Sequence, residues 1–527
     1  MRYDLIKYEQ ASTDLTAKEK IGQLFMPAAF VNDSEEEIVS LEELIATHYI
    51  GGICFFHSRA SAATNFEGKK KVIKNENSYD TLKLLIKRYQ KAAKHPLLIA
   101  IDAEWGLAMR IENTPQYPYA ITLGALPKNE GHLIFEVGKN IAKDCKSAGI
   151  HWNLSPVVDV NNNPNNPVIG YRSFGEDRNL VTGKALQFIK GTQSEGVLTS
   201  IKHFPGHGDT ATDSHLGLPL INKSRKELDK NELFPFKEII DQGIDSVMVG
   251  HLSVPALSDG KETPSSISKE IIKGVLRSEL GFEGVVISDA LNMHAVAKNY
   301  PEKGELEWLA FDAGNDILCF AEHTKEGISK ILENALPDQI EESFERVWRL
   351  KEKAFEGGNE VTTLTQPDSL NRRISEKCIT LQKGTSSNLA EFTKSEFTAI
   401  SNIEPSKTIF FKHLRDQLEF DVETLPNADT FRNKNLLVAL FPPQVKPNNL
   451  FGFNPEDLKI LNRLLAVNKV TLYLFGNPYM LNHIEYSQAE TVVLAYQNFE
   501  VFQKTASNHF LGRVESSGKL SVKTNLI

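Results

Sequence analysis

The residues best suited to acid–base or covalent chemistry crowd into Lys202–Pro219, KHFPGHGDTATDSHLGLP. This segment holds His203, His207 and His215 with Asp209 and Asp213, in a stretch rich in glycine. Asp213 and His215 stand two positions apart. A carboxylate bonded to one imidazole nitrogen fixes the tautomer and leaves the other nitrogen to exchange protons near neutral pH. The same spacing also fits a polar loop in which Asp213 only caps a turn. Histidine and carboxylate are ordinary metal ligands too. No HExxH-type helical pair is present, however, and neither a metal nor an organic cofactor is expected.

Further reactive groups stand where apolar runs end. Asp289 closes GVVIS, which makes it a candidate nucleophile or base; equally, it could cap a helix beginning near Ala290. Asp102 and Glu104 close PLLIAID, with Trp105 and Arg110 just beyond. Lys202 and His203 end VLTSIKHF, and His251 ends SVMVGHL. Arg172 lies in NNNPNNPVIGYRSFGED, after the run that begins at Ile150. Lys202 and Arg172 suit either ligand hydroxyls or structural ion pairs. His207 and His294 read as hydrogen-bonded loop residues.

Such placement needs elements that hold their carboxyl ends on one rim. Short apolar runs begin near Ile21, Gly51, Pro96, Ile150, Val197, Ser246, Gly284 and Asn315, with amphipathic stretches between them. Ile38, Leu41, Leu44 and Ile45 share one helical face after the cap Asp33–Ser34, as do Leu133, Ile134, Val137 and Ile141. Alternation of this kind reads as an α/β fold with a parallel sheet. Eight strands match a (β/α)8 TIM-type barrel, in which reactive groups gather at the carboxyl ends of the strands. An open doubly wound sheet has the same periodicity. The barrel is expected over residues 1–358, a linker over 359–380, and a smaller α/β domain over 381–527. Runs from Asn435, Val470 and Thr491 supply strands of that second domain, and Pro455–Val467 a helix with Leu458, Leu461 and Leu465 inward.

Composition narrows the partners. The chain has 527 residues, 41% hydrophobic and 24% charged, with 59 basic and 68 acidic side chains and a net charge of −9. No basic block offers the positive face that phosphate contacts require, so nucleic acid is not an expected partner. The four cysteines, Cys54, Cys145, Cys319 and Cys378, are far apart and read as reduced, buried thiols. The first twenty residues carry charges throughout and have no apolar core, so they do not read as a signal peptide. No apolar run is long enough to span a bilayer. The expectation is a cytoplasmic protein with a small-molecule ligand and no membrane partner; the oligomeric state is not legible.

Four segments, taken together, closely resemble glycoside hydrolase family 3, and within it the bacterial β-N-acetylglucosaminidase branch. They are KHFPGHGDTATDSHLGLP, NLSPVVDVNNNPNNPVIGYRSFGED, SVMVGHLSVPAL and GVVISDALNM, in the family's order over residues 10–355. The C-terminal part resembles more weakly the α/β sandwich domain many members carry, with LGRVESSGKLSV echoing the usual closing stretch. The resemblance implies a retaining glycosidase acting through a covalent glycosyl-enzyme. Asp289 matches the nucleophile, and His215 with Asp213 matches the branch's histidine acid/base. Asp102, Arg110, Arg172, Lys202 and His203 match positions that hold the sugar. The expected activity is exo removal of terminal β-linked GlcNAc from cell-wall fragments or chito-oligosaccharides, with no cofactor.

One departure stands out. Where the family usually has Glu-Gly-Gly, this chain reads Glu104-Trp105-Gly106. The tryptophan either packs under its loop or reshapes the pocket. Three rivals remain: a phosphorylase on the same scaffold, a β-glucosidase, and a barrel that binds sugar without cutting. Family β-glucosidases lack the Asp-Ser-His motif, and the retained Asp289, Asp213 and His215 argue against a dead barrel.

Overall fold

The structure is a computed structural model that describes residues 5–56, 75–210, 217–356 and 361–525. The chain forms two compact units, each assembled from three stretches. The first comprises Met1–Gln116, Phe135–Val160 and Ala185–Thr365; the second comprises Tyr117–Ile134, Asn161–Lys184 and Gln366–Ile527.

The first unit is an α/β fold built on a curled parallel sheet. Its strands are β1 (Phe25–Met26), β2 (Ala28–Phe30), β3 (Gly52–Phe56), β4 (Leu98–Ile101), β5 (Trp152–Asn153), β6 (Leu198–Phe204), β7 (Ser246–Val249), β8 (Val285–Ser288) and β9 (Leu318–Cys319). Strands β2 to β8 pair side by side in chain order, all parallel, while β1 pairs with β9. Pro27 separates β1 from β2 because it has no N–H to give the ladder, although its carbonyl still accepts from Cys54 N at 3.1 Å. A bridge joins Ile287 to Ile317, with Ser288 N donating to Ile317 O at 3.0 Å.

Two apolar runs differ from their expected extent. The run from Ile21 opens as the end of the helix Ala17–Gly22, capped by Thr16 and Glu19, before β1 begins. The run from Ile150 is a ladder strand only over Trp152–Asn153, because Pro156 cannot donate. Pairing resumes at Val157, and Val158 N donates to Lys202 O at 2.9 Å. The helices follow their patterns. Ser34 and Glu37 form a capping box on Glu35–His48, which buries Ile38, Leu41 and Ile45. In Gly131–Ala148, Leu133, Ile134, Val137 and Ile141 are all buried.

The helix Pro337–Phe355 secures the amino ends of the strands. Ser343 Oγ and Arg346 Nε each donate to Asp316 Oδ1 at 2.9 Å, while Arg277 Nη2 and Val286 N hold Oδ2 at 2.6 and 2.8 Å. Lys353 Nζ reaches Asp245 Oδ1 at 2.6 Å, and Thr199 N donates to the other oxygen at 2.9 Å. Lys351 is fully buried, its Nζ 2.6 Å from Gln23 Oε1 and 5.2 Å from the Trp348 ring centre. With one end of the sheet so held, the polar strand ends gather at the other. Among the described residues, no helix is long and apolar enough to cross a membrane.

The second unit contains a six-stranded sheet ordered β10–β15–β14–β13–β11–β12. These strands are β10 (Thr380–Lys383), β11 (Thr398–Ser401), β12 (Asp421–Thr424), β13 (Asn435–Leu440), β14 (Lys469–Leu474) and β15 (Thr491–Leu494). Only β10 runs antiparallel to its neighbour. An apolar cluster around Phe410, Leu437, Tyr473, Phe475 and Phe510 packs on it. The helix Pro455–Val467 turns Leu458, Leu461 and Leu465 inward. Part of the span read as a linker, Asp368–Cys378, is helical and belongs to this unit.

Two excursions from the N-terminal half complete the second unit. Tyr479 Oη donates to Glu176 Oε1 at 3.0 Å and accepts from Asn161 Nδ2 at 2.8 Å. Glu176 N donates to Ser521 O at 3.0 Å, and Lys519 N to Ala125 O at 2.9 Å.

Burial lowers the Lys351 ammonium from 10.5 to about 7. The unfolded chain therefore binds more protons between about pH 7 and 10.5, and this residue's contribution to stability rises with pH through that window. Comparing wild type with Lys351→Met in urea, the difference should move toward wild type by on the order of 2 kcal/mol from pH 7 to 9. A pH-independent difference would mean the amine is not titrating there.

Candidate active site

Four charges meet at the carboxyl ends of β4 and β6. Asp102 follows β4 directly, and Lys202 lies within β6 with its side chain only 2% exposed. Lys202 Nζ is 2.6 Å from Asp102 Oδ1 and 2.9 Å from Glu104 Oε1. Arg110, at the end of the short turn Leu107–Met109, places Nη2 2.8 Å from the other Asp102 oxygen. Its guanidinium lies 5.1 Å from the centre of the Phe56 ring. Burial alone would push the Asp102 carboxyl up, but Lys202 and Arg110 outweigh it and hold the group well below the usual carboxylate range. Two cations and two carboxylates thus balance in a largely buried site. Their hydrogen-bonding directions are set before any ligand arrives.

Beside this cluster, Asp159 organises the chain leaving β6. His203 Nδ1 lies 2.8 Å from Asp159 Oδ2, the His203 amide donates to Oδ1 at 3.2 Å, and the His207 amide donates to Oδ1 at 2.7 Å. Asp159 is 1% exposed. Burial opposes its charge, yet His203, His207 and these bonds hold its pKa below the ordinary value. The His207 ring nitrogen Nδ1 sits 2.7 Å from Thr210 Oγ1. Burial, with His203 adding to it, lowers His207 to about 4, so its ring is neutral at physiological pH. This agrees with the reading of His207 as a hydrogen-bonded loop residue.

Asp289 follows β8, with its amide donating to Val249 O at 2.9 Å. Its carboxylate is not a helix cap. Oδ1 accepts from Ala290 N at 2.8 Å, and the next helix, His294–Ala297, begins only after Met293. The Asp289 charge acts on the His207 ring, and the charges of Asp102 and Asp289 both act on the Cys319 thiol. Cys319, hydrogen-bonded to Cys54 and buried, is held well above the ordinary thiol value. The structure therefore brings Asp102, Arg110, Lys202, His203 and Asp289 to the carboxyl ends of the strands of one unit. A carboxylate at the carboxyl end of such a strand can attack an electrophilic carbon.

Three sequence-derived residues are not among that group. Asp213 and His215 lie outside the described residues. Arg172 belongs to the second unit, where Asn166 Oδ1 accepts from Val168 N and Ile169 N, and Arg172 N donates to Ile169 O at 2.6 Å. Conversely, Asp159 was not singled out from the sequence. It ends the apolar run SPVVD much as Asp102 and Asp289 end theirs, and that signal could have found it.

The chain matches the family model described as glycosyl hydrolase family 3 N terminal domain over residues 16–350. It belongs to glycosyl hydrolase family 3. Beta-hexosaminidase A of Pseudoalteromonas piscicida is 36% identical over 291 residues, which cover 53% of this chain and 46% of that relative. The chain thus spans about half the length of this curated relative. A glycoside hydrolase family 3 beta-N-acetylglucosaminidase from Paenibacillus sp. str. FPU-7 superposes with a TM-score of 0.78 at 28% identity, covering 97% of this chain and all of that one. A beta-glucoside phosphorylase, BglX, shares the fold at 21% identity with a TM-score of 0.79, covering 99% of this chain and 97% of its own.

Asp159→Ala would leave three buried donors without their acceptor. Its urea midpoint should fall by the equivalent of about 2–4 kcal/mol, with Asp159→Asn losing less. Equal stability of the alanine variant and wild type would remove Asp159 as the organiser of this turn.

Proposed function

We propose that this protein is a retaining, exo-acting β-N-acetylhexosaminidase that releases terminal β-linked GlcNAc from cell-wall fragments or chito-oligosaccharides. The observation that carries the reading is Asp289 standing at the end of β8, in the same parallel sheet whose β4 and β6 carry the Asp102–Lys202–Arg110 cluster at their carboxyl ends. Likeness to hexosaminidases supports the sugar, and the bridge between β8 and β9 supports a closed (β/α)8 ring in which β1 and β2 count as one strand.

In this reading the Asp289 carboxylate attacks C1 while His215 protonates the departing glycosidic oxygen. A glycosyl-Asp289 ester forms as that bond breaks. His215, now neutral, takes a proton from water, which attacks C1 and frees the carboxylate. Asp213 orients the imidazolium in the first step and fixes the tautomer of the neutral ring in the second. Asp102 accepts from sugar hydroxyls while Lys202, Arg110 and His203 fix the orientation. Lys202 and Arg110 already neutralise Asp102, so sugar binding need not reorganise charge.

The test is hydrolysis of 4-nitrophenyl β-GlcNAc beside the β-glucoside, with and without phosphate. GlcNAc release independent of phosphate supports the reading; GlcNAc 1-phosphate as product would make the enzyme a phosphorylase. Asp289→Ala should lower kcat by about 10⁴-fold or more while keeping the fold. His215→Ala should lose far more on poor leaving groups than on activated aryl glycosides. Equal losses on both would remove His215 as the acid.

A further inference from the structure

His251 lies at the end of β7, fully buried, with a partner on each ring nitrogen. Nε2 is 2.9 Å from the carbonyl oxygen of Ala290, and Nδ1 is 2.7 Å from Ser266 Oγ. A carbonyl can only accept, so Nε2 carries the proton. In its neutral form the ring then accepts at Nδ1 from the Ser266 hydroxyl. Ser266 is itself held: Asn315 Nδ2 donates to its carbonyl at 2.8 Å. A directed chain of hydrogen bonds runs from Asn315 before β9, through Ser266 and His251, to Ala290 beyond β8.

Ala290 is the residue whose amide donates to Asp289 Oδ1 at 2.8 Å. The turn that presents Asp289 is pinned at four consecutive residues, Ser288 to Leu291. Ser288 N donates to Ile317 O at 3.0 Å, Asp289 N to Val249 O at 2.9 Å, and Leu291 N to Cys319 O at 3.0 Å. Those three bonds are main chain to main chain. The Ala290 carbonyl accepts from Met293 N at 3.0 Å within its own turn, and its tie back to the end of β7 comes from a side chain, that of His251.

We infer that His251 is a positioning residue for the Asp289 carboxylate, fixing the turn through Ala290 so that one carboxylate oxygen is held and the other is presented. The inference rests on Asp289 being the nucleophile, as proposed above. A neutral imidazole suits the task. It fixes the backbone without setting a cation beside the carboxylate, where it would blunt the attack. Ser266 matters because its hydroxyl can donate to Nδ1 while Nε2 donates to the Ala290 carbonyl.

The test uses the full chain in four forms: wild type, His251→Leu, His251→Gln and Ser266→Ala. On 4-nitrophenyl β-GlcNAc, His251→Leu should lower kcat by about 10²-fold, the scale of a reacting group displaced by about 1 Å, with KM little changed. His251→Gln can both donate to Ala290 and accept from Ser266, and should recover most of the loss. Ser266→Ala should show a smaller loss in the same direction. A parallel arm measures inactivation by a 5-fluoro derivative of GlcNAc fluoride, with the labelled peptide located by mass spectrometry. Label on Asp289, formed more slowly in His251→Leu by about the factor lost in kcat, supports the inference. Label on Asp289 at the wild-type rate overturns it and leaves the nucleophile standing. Label on another carboxylate overturns both. A loss confined to KM, or one not recovered by glutamine, would reduce His251 to a packing role and overturn the inference.

Discussion

Everything chemical in this molecule depends on a parallel sheet having two unlike ends. When neighbouring strands run the same way, all their carboxyl ends fall on one side, and the loops that follow share a small region. Asp102, Lys202, His251 and Asp289 come from four different strand ends, separated by up to 187 positions in the chain. Parallel pairing from β2 to β8 makes neighbours of them. The opposite end must then be held shut. Asp245 and Asp316 do this by accepting from the helix Pro337–Phe355 and from the first residues of the strands themselves.

The two ends also handle charge differently. At the amino ends, the buried carboxylates of Asp245 and Asp316 meet basic side chains and backbone amides at once, which leaves little for a ligand to do. At the carboxyl ends, the Asp102 group is balanced as a whole but remains partly open: Arg110 and Asp102 keep 21% and 13% of their side-chain surfaces exposed. Buried ion pairs contribute little net stability once their desolvation is counted. Retaining four charges in such a place makes sense as preorganisation, because a polar ligand then finds donors and acceptors already aimed.

Much of this was legible in the residues. Aspartate at the end of an apolar run is a visible signal, and it located Asp102 and Asp289. Helical periodicity located Pro455–Val467 and Gly131–Ala148 because long amphipathic stretches carry many votes for one face. Short strands were harder. Pro27 and Pro156 interrupt runs that look continuous in hydrophobicity, since what they remove is an N–H rather than apolar surface. Asp159 escaped notice because its partners are largely backbone amides, and an amide has no letter in a sequence. The Ala290 carbonyl is hidden for the same reason, so the part played by His251 depends on geometry alone. Arg172 looked like one more strand-end residue, yet contacts assign its loop to the second unit.

That assignment bears on the order in which a growing chain can become complete. The loop carrying Arg172 is synthesised in the first third of the chain. Its hydrogen-bonding partners Tyr479 and Ser521 are synthesised more than 300 positions later. A nascent chain builds domains from the amino end as they emerge, but here the segments 117–134 and 161–184 must wait for strands and a tail not yet made. Completion of the second unit is therefore tied to synthesis of that later stretch: a chain stopped before it holds Asp102, Lys202 and Asp289, but not the residues that pack the Arg172 loop.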